Sequence, residues 1–400
     1  MLATAIPVRP LAPFVAFGAF GAFWGMWGAS LPRLREAAGL DDAQLGVALL
    51  FVGAGALPAM LLVGRALDRW GLRLAAPLLL SLGLAGCAVA LTAHLGFAAL
   101  CIGMALVGAT SGATDVAMNA VAGRAEQALA RPVITPAHAT LSGFVVVGSL
   151  GTGVMGAAGS PFALPFAVVA LATLLAAVVV LRALPAHPSA VTSTADRPPD
   201  SDSLAGRGML SLAVLLGLGM LGALAFAGEN AQQSWSAAFL EDELSVAPGV
   251  SALGPAVFAA VVAATRFSIS GLPARHARAV VVCGSLVATA GAGLLAGAPT
   301  LPVALVALAL AAAGTAVLFP TLLGVVSRAV PEHRRGRTTS LVTTVAYTGF
   351  LAGPPFVGLL ADAAGLRAAM IAVAGLTAVL AGLAPFVLRR SGRLVLTPSR

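Results

Sequence analysis

Apolar runs of roughly 20 residues follow one another along this chain, separated by short gaps that hold most of its charge. That is about the length an α-helix needs to cross the hydrocarbon core of a bilayer. Few folds are open to such a chain, because a backbone in lipid must satisfy its own hydrogen bonds. Of the 400 residues, 59% are hydrophobic and 10% are charged, against about 25% charged in ordinary soluble domains. The composition is that of an all-α polytopic membrane protein and excludes a soluble enzyme.

We read twelve transmembrane helices, at about 11–31, 43–63, 74–93, 97–121, 137–158, 162–182, 209–234, 249–267, 279–298, 301–326, 338–361 and 366–388. The first run follows Arg9 and is longer than a signal-peptide core, so it is expected to stay as a helix. Residues 185–207, rich in Pro, Ser and Asp, have almost nothing to bury and read as a disordered cytoplasmic linker. The expected organisation is a six-helix N-terminal half (1–184), the linker (185–207) and a six-helix C-terminal half (208–400).

The chain has no lysine, so its 23 basic residues are all arginine. On the twelve-span layout, 20 of these 23 fall in even-to-odd turns, the linker and the termini, whereas Arg33, Arg35 and Arg367 fall in the opposite turns. Positive charge is retained on the cytoplasmic face. Both termini are therefore expected there, in an inner (plasma) membrane. On this account the net charge of +8 records topology, and nucleic acid is not expected as a partner. Cys87, Cys101 and Cys283 lie in apolar runs without metal spacing, so neither a disulfide nor a metal site is expected.

Of the 15 acidic residues, all but Asp115 and Glu229 can be assigned to turns or to the linker. An intramembrane acid costs about 2.5–3.5 kcal/mol on insertion scales and usually marks an ion or substrate pathway. Asp115, Asn119 and Ser111 share one helix face by their spacing of four. A proton site and a structural, hydrogen-bonded acid are both open to Asp115. Glu229 stands in "FAGENAQQSW", where Gly228 could break the helix and Asn230, Gln233 and Trp235 follow. Broken helices with amide side chains build transporter sites, and an outward-gate role is the rival. Trp24 and Trp27 are placed to stack on a ring or to pack. His138 and Ser142 share a face at the start of helix five, as site residues or as polar residues at the helix entry. Tyr347, the sole tyrosine, is expected to face a cavity. Pro320, Pro354 and Pro355 are expected to kink helices ten and eleven.

Between spans two and three stands "GRALDRWGLR". It resembles the loop signature of the major facilitator superfamily at Gly64, Asp68, Arg69, Gly71 and Arg73, departing at Ala66 and Leu72. In that family the glycines permit a tight turn and close helix approach, and the Asp–Arg pair clamps the cytoplasmic gate. "TDVAMNAVAGRAE" and "RPVITPAHATLSGFVVVGSLGTG" resemble helices four and five of the fucose-permease-like branch and its uncharacterised bacterial inner-membrane relatives. "FAGENAQQSW" and "YTGFLAGPPFVGLLADAAGLR" are similar to the same relatives. Two departures stand out. The first helix, "FGAFGAFWGMWGASLP", lacks the acid that fucose permeases carry there, and helix five lacks the Gly-Pro-rich antiporter signature.

The resemblance implies two six-helix bundles around a central cavity, and a secondary transporter that moves a small polar or amphipathic solute by alternating access. It also implies proton coupling, through Asp115 and Glu229, and a monomer in the lipid bilayer. A drug or metabolite efflux proton antiporter is the alternative, followed by a non-transporting membrane sensor. No nucleotide loop, metal cluster or nucleophile–base arrangement is legible, so no cofactor and no catalysis are expected.

Overall fold

The computed structural model describes residues 11–184, 211–269, 274–330 and 332–395; the expected linker, 185–207, lies outside the described residues. Twelve helices among the described residues are long and apolar enough to span a membrane. They are α1 (Leu11–Ala38), α2 (Asp42–Trp70), α3 (Ala75–Thr92), α4 (Phe97–Leu129), α5 (Ile134–Ala157) and α6 (Leu164–Ala183). Then come α7 (Leu212–Leu244), α8 (Pro248–Ile269), α9 (Ala277–Ala296), α10 (Leu301–Ala329), α11 (Glu332–Ala364) and α12 (Leu366–Val395).

Local chemistry sets the ends. Asp41 caps α2, its carboxylate accepting from the Gln44 N–H at 2.7 Å while the Gln44 side chain reaches back, a reciprocal box that satisfies two orphan donors. At the other end of α2, Gly71 takes φ 76° and donates to the Leu67 carbonyl, a conformation that costs glycine little. Helices α1, α4 and α7 continue past their apolar runs by two or more turns. Their ends carry Arg33 and Arg35, Arg124 and Glu126, and Glu241–Glu243, so residues whose charge marks a turn in the sequence here continue a helix beyond its apolar run.

The packing repeats. In the first half α1 lies on α5, α2 on α4 and α3 on α6; in the second, α7 lies on α11, α8 on α10 and α9 on α12. Adding six to each number maps one set onto the other. Across the halves α2 meets α11 and α5 meets α8, a pair that the same operation exchanges. The fold is therefore two six-helix bundles related by a pseudo-twofold. Small residues make the close approaches, as membrane packing requires. A Cβ on Gly108 would strike the Val52 carbonyl of α2, and one on Gly349 the Ala223 carbonyl of α7.

Prolines act as expected in α10 and differently in α11. Pro320 lacks an N–H and its ring displaces the carbonyl four residues earlier. α10 breaks at Val317, and the Ala316 carbonyl accepts from Arg266 Nε at 3.2 Å. α11 runs unbroken through Pro354 and Pro355. There the Phe350 carbonyl, four residues before Pro354, accepts from Asn230 Nδ2 at 2.7 Å. In each case a neighbouring helix supplies the donor that proline removed, which is what a membrane interior demands.

The halves close on each other at the arginine-poor end. Arg35 of α1 bonds Asp242 of α7 at 2.7 Å and also holds Asp42 of α2. Ser149 Oγ of α5 donates to the Ala252 carbonyl of α8 at 2.7 Å. Gly46 and Gly358 approach backbone to backbone, so that a Cβ on Gly358 would sit 2.8 Å from Gly46 Cα. At the arginine-rich end of α2, a Cβ on Gly64 would meet nothing within 4 Å.

Candidate solute cavity

Between the halves lies a cavity of about 260 Å³. Helix α1 presents Phe20, Trp24, Trp27, Gly28 and Leu31 to it, and α2 presents Val52, Ala56 and Met60. Helix α4 contributes Ser111, Gly112 and Asp115, α7 contributes Asn230, Gln233 and Ser234, and α11 contributes Tyr347 and Phe350. The lining is aromatic on α1 and α11 and carries amides and hydroxyls on α4 and α7. Trp24 and Trp27 stand edge to face, ring centroids 6.1 Å apart. Tyr347 lies 6.0 Å from Phe350 and 5.5 Å from Phe226, which extends the second aromatic wall.

Asp115 is the one charged residue of the lining. Asn119, one turn on, donates from Nδ2 to the Asp115 side chain at 3.2 Å and to its carbonyl at 2.9 Å. Among the described residues no arginine or histidine lies within ion-pair distance of Asp115. Tyr347 of α11 is the other titratable side chain of the lining. The depth follows from the helix: Asp115 lies near the middle of α4.

Several residues read together from sequence part company in space. Trp24, Trp27, Asp115, Asn230, Gln233 and Tyr347 share the cavity, while Asn119 supports Asp115 from behind. Trp235 is fully buried instead, its Nε1 donating to the Pro354 carbonyl at 3.2 Å. It locks α7 to α11. His138 is exposed on α5 outside the lining, its Nδ1 3.0 Å from the Ile134 carbonyl and its ring edge-on to Phe17 at 4.8 Å. Ser142 bonds back to the His138 carbonyl at 3.1 Å.

Glu229 lies outside the lining as well, 2.9 Å from Arg266 of α8. The expected break at Gly228 does not occur, and α7 is continuous from Leu212 to Leu244. The glycine serves contact instead: a Cβ there would come within 3.0 Å of Thr377 on α12. Arg266, which the sequence pattern put in a turn, sits inside α8 and joins Glu229 to the break in α10. Its own spacing gave no hint of that reach, although the fact that Pro320 must free the carbonyl at 316 was a usable signal.

In the α2–α3 loop, Arg73 Nη2 donates to the Leu181 carbonyl at the end of α6, at 3.1 Å. Asp68 and Arg69 are exposed, with no ion pair among the described residues, and Arg69 lies over the Trp70 ring at 5.9 Å. The loop is anchored within its own half.

A model of the Major Facilitator Superfamily matches residues 218–399. An uncharacterised MFS-type transporter of Yersinia pestis is 29% identical over 370 residues, 90% of each chain. The membrane protein MosC of Rhizobium meliloti is 29% identical over 370 residues, 91% of this chain and 86% of that one. The chain is thus similar to the major facilitator superfamily, by its second half to the family model and by about nine-tenths of its length to these relatives. Its twelve long apolar helices fit a multi-pass membrane protein similar to those transporters.

Solved structures share the MFS fold at low identity. A bacterial homologue of the human lysosomal transporter Spinster, inward-facing and occupied, superposes with a TM-score of 0.74 at 16% identity over 98% of both chains. The nucleoside transporter NupG gives 0.73 at 14% identity over 95% of this chain and 99% of that one. FucP, in its outward conformation, gives 0.54 at 17% identity over 94% of this chain and 99% of that one.

Proposed function

We propose that this chain is a major facilitator superfamily transporter that moves a small polar or amphipathic solute across a bacterial-type inner membrane by alternating access, coupled to protons through Asp115. The single observation that carries this reading is a carboxyl without an arginine partner among the described residues, on the wall of a cavity that lies between two halves joined at one end. A carboxyl at this depth can take up and give back a proton as access changes sides, and no other charged group of the lining competes for that role. Glu229 serves differently, as the partner that fixes Arg266 against the α10 break.

The arginine asymmetry supports cytoplasmic termini, so the joined end is the outer one and the cavity is reached from the cytoplasm. Trp24, Trp27 and Tyr347 supply faces for a ring or an alkyl body, and Asn230 and Gln233 supply polar contacts. One monomer is sufficient, since the cavity is built from one chain.

The test is transport in reconstituted vesicles under an imposed pH gradient. Wild-type protein should drive accumulation of its solute, and Asp115→Asn should lose gradient-driven accumulation while retaining exchange of labelled for unlabelled solute. Full gradient-driven accumulation by Asp115→Asn removes the assignment. Efflux in exchange for protons is the second reading, favoured by the same lone carboxyl, and the sign of accumulation in inside-out vesicles separates the two.

A further inference from the structure

We propose that the solute is a small organic cation, an amine or quaternary ammonium, whose charge rests on Asp115 in exchange for the proton held there. This rests on the proton-coupled reading above and adds the chemical class of the substrate.

The argument starts from which acids the chain has neutralised. Arg35 serves Asp42 and Asp242, Arg266 serves Glu229, and Arg367 serves Glu243 at 2.8 Å. Asp115, set in the cavity wall, receives only the neutral amide of Asn119. An ionised carboxylate at this depth needs a positive partner. Among the described residues none is supplied, so the partner is a proton or something that enters the cavity.

The walls favour the same answer. Trp24 and Trp27 on α1 and Tyr347 and Phe350 on α11 present ring systems to the space in front of Asp115. Ring faces are negative and attract ammonium groups within about 6 Å of their centroids. An anionic solute would meet both the carboxylate and the rings. A neutral polyol would leave the acid protonated and make no use of its charge.

The exchange balances simply. An R–NH3⁺ group entering opposite the protonated acid displaces one proton to water and leaves a carboxylate–ammonium pair; the reverse step reloads the proton and frees the cation. A quaternary ammonium does the same without carrying an exchangeable proton of its own. Tyr347 of α11 is the other titratable side chain of the lining, and His138 of α5 lies exposed outside it. Among the described residues no arginine of a neighbouring helix lies within ion-pair distance of Asp115.

The experiment uses the purified full chain and matched probes: choline against 3,3-dimethylbutanol and 3,3-dimethylbutyrate, tryptamine against tryptophol and indole acetate, and glucosamine against glucose and glucuronate. Thermal stabilisation and tryptophan fluorescence report binding, and a weakly buffered solution with a pH dye reports protons. At least one cation should bind while its neutral and anionic counterparts do not. Each bound cation should release close to one proton, and its apparent Kd should weaken by about tenfold for each unit of pH lowered through the titration.

Asp115→Asn should lose at least about tenfold in affinity, Asp115→Glu should retain binding and proton release, and His138→Gln should keep the pH slope. A neutral or anionic counterpart that binds as well as its cation, or a panel in which no cation binds, overturns the proposal. Cation binding without proton release upholds the cationic class and removes the proton reading. Neutral-solute binding with proton uptake removes the class and leaves proton coupling standing.

Discussion

Arg35 at the end of α1 and Asp242 near the end of α7 stand 2.7 Å apart, one from each half, with Asp42 of α2 on the same guanidinium. It is a charged strap across the closed end of the cavity, and part-exposed pairs of this kind contribute about 0.2–1 kcal/mol each. Asp242→Asn should therefore shift the population towards the state open at that end by roughly 1.4- to fivefold. The readout is maleimide labelling of Leu31→Cys, in a background lacking Cys87, Cys101 and Cys283, by a reagent confined to the arginine-poor side. An unchanged labelling rate would mean that the strap contributes nothing to closure.

The Glu229–Arg266 pair predicts a coupled loss. Glu229 is 14% exposed and Arg266 44%, so the pair is screened on one side and worth about 1 kcal/mol. Removing one partner leaves the other beside a broken helix. Glu229→Gln and Arg266→Gln should each lower the melting temperature, and the double variant should fall by less than the sum of the two. Strict additivity in that cycle would show the two side chains to be energetically independent.

Two glycines of one helix predict opposite outcomes. A Cβ on Gly108 would strike the Val52 carbonyl of α2, whereas one on Gly123 would meet nothing within 4 Å. Gly108→Ala should cost about 1–3 kcal/mol through overpacking, seen as a lower melting temperature in detergent. Gly123→Ala should be neutral or slightly stabilising, since alanine is the better helix former. Equal effects would remove the close α2–α4 approach from the account.

The spans were legible because bilayer thickness fixes helix length, and a chain that must alternate apolar runs with arginine gaps leaves little freedom. What was not legible is where side chains go once they leave their own helix. Arg266 looks like any turn arginine until the carbonyl freed by Pro320 is known to lie within its reach. Trp235 and Trp27 look alike in sequence, but one donates to the Pro354 carbonyl and the other lines the cavity. Gly228 reads as a helix breaker, yet it is a contact surface for Thr377. Asp115 was visible as an acid out of place, whereas the lack of an arginine beside it among the described residues is a fact of packing.

That difference between tryptophans can be measured. Trp235→Phe removes one buried hydrogen bond and should cost about 0.5–1.5 kcal/mol of stability, with the KM for solute unchanged. Trp27→Phe should leave stability nearly intact and raise KM. Transport kinetics beside melting curves for both variants checks the pair, and a raised KM in Trp235→Phe would place that ring in the binding site after all.

The meeting of Gly46 with Gly358 has a mechanical consequence. Where two helices touch through bare backbone, no side chain interlocks with a socket, and separating them requires no rotamer to change. Such a contact acts as a smooth bearing: it excludes water when closed, yet one bundle can roll off the other with little resistance from the seam itself. Strength at that end is then left to Arg35 and its two carboxylates, which can let go one at a time. A transporter that must open the same seam in every cycle gains from keeping the surface that slides apart from the groups that hold.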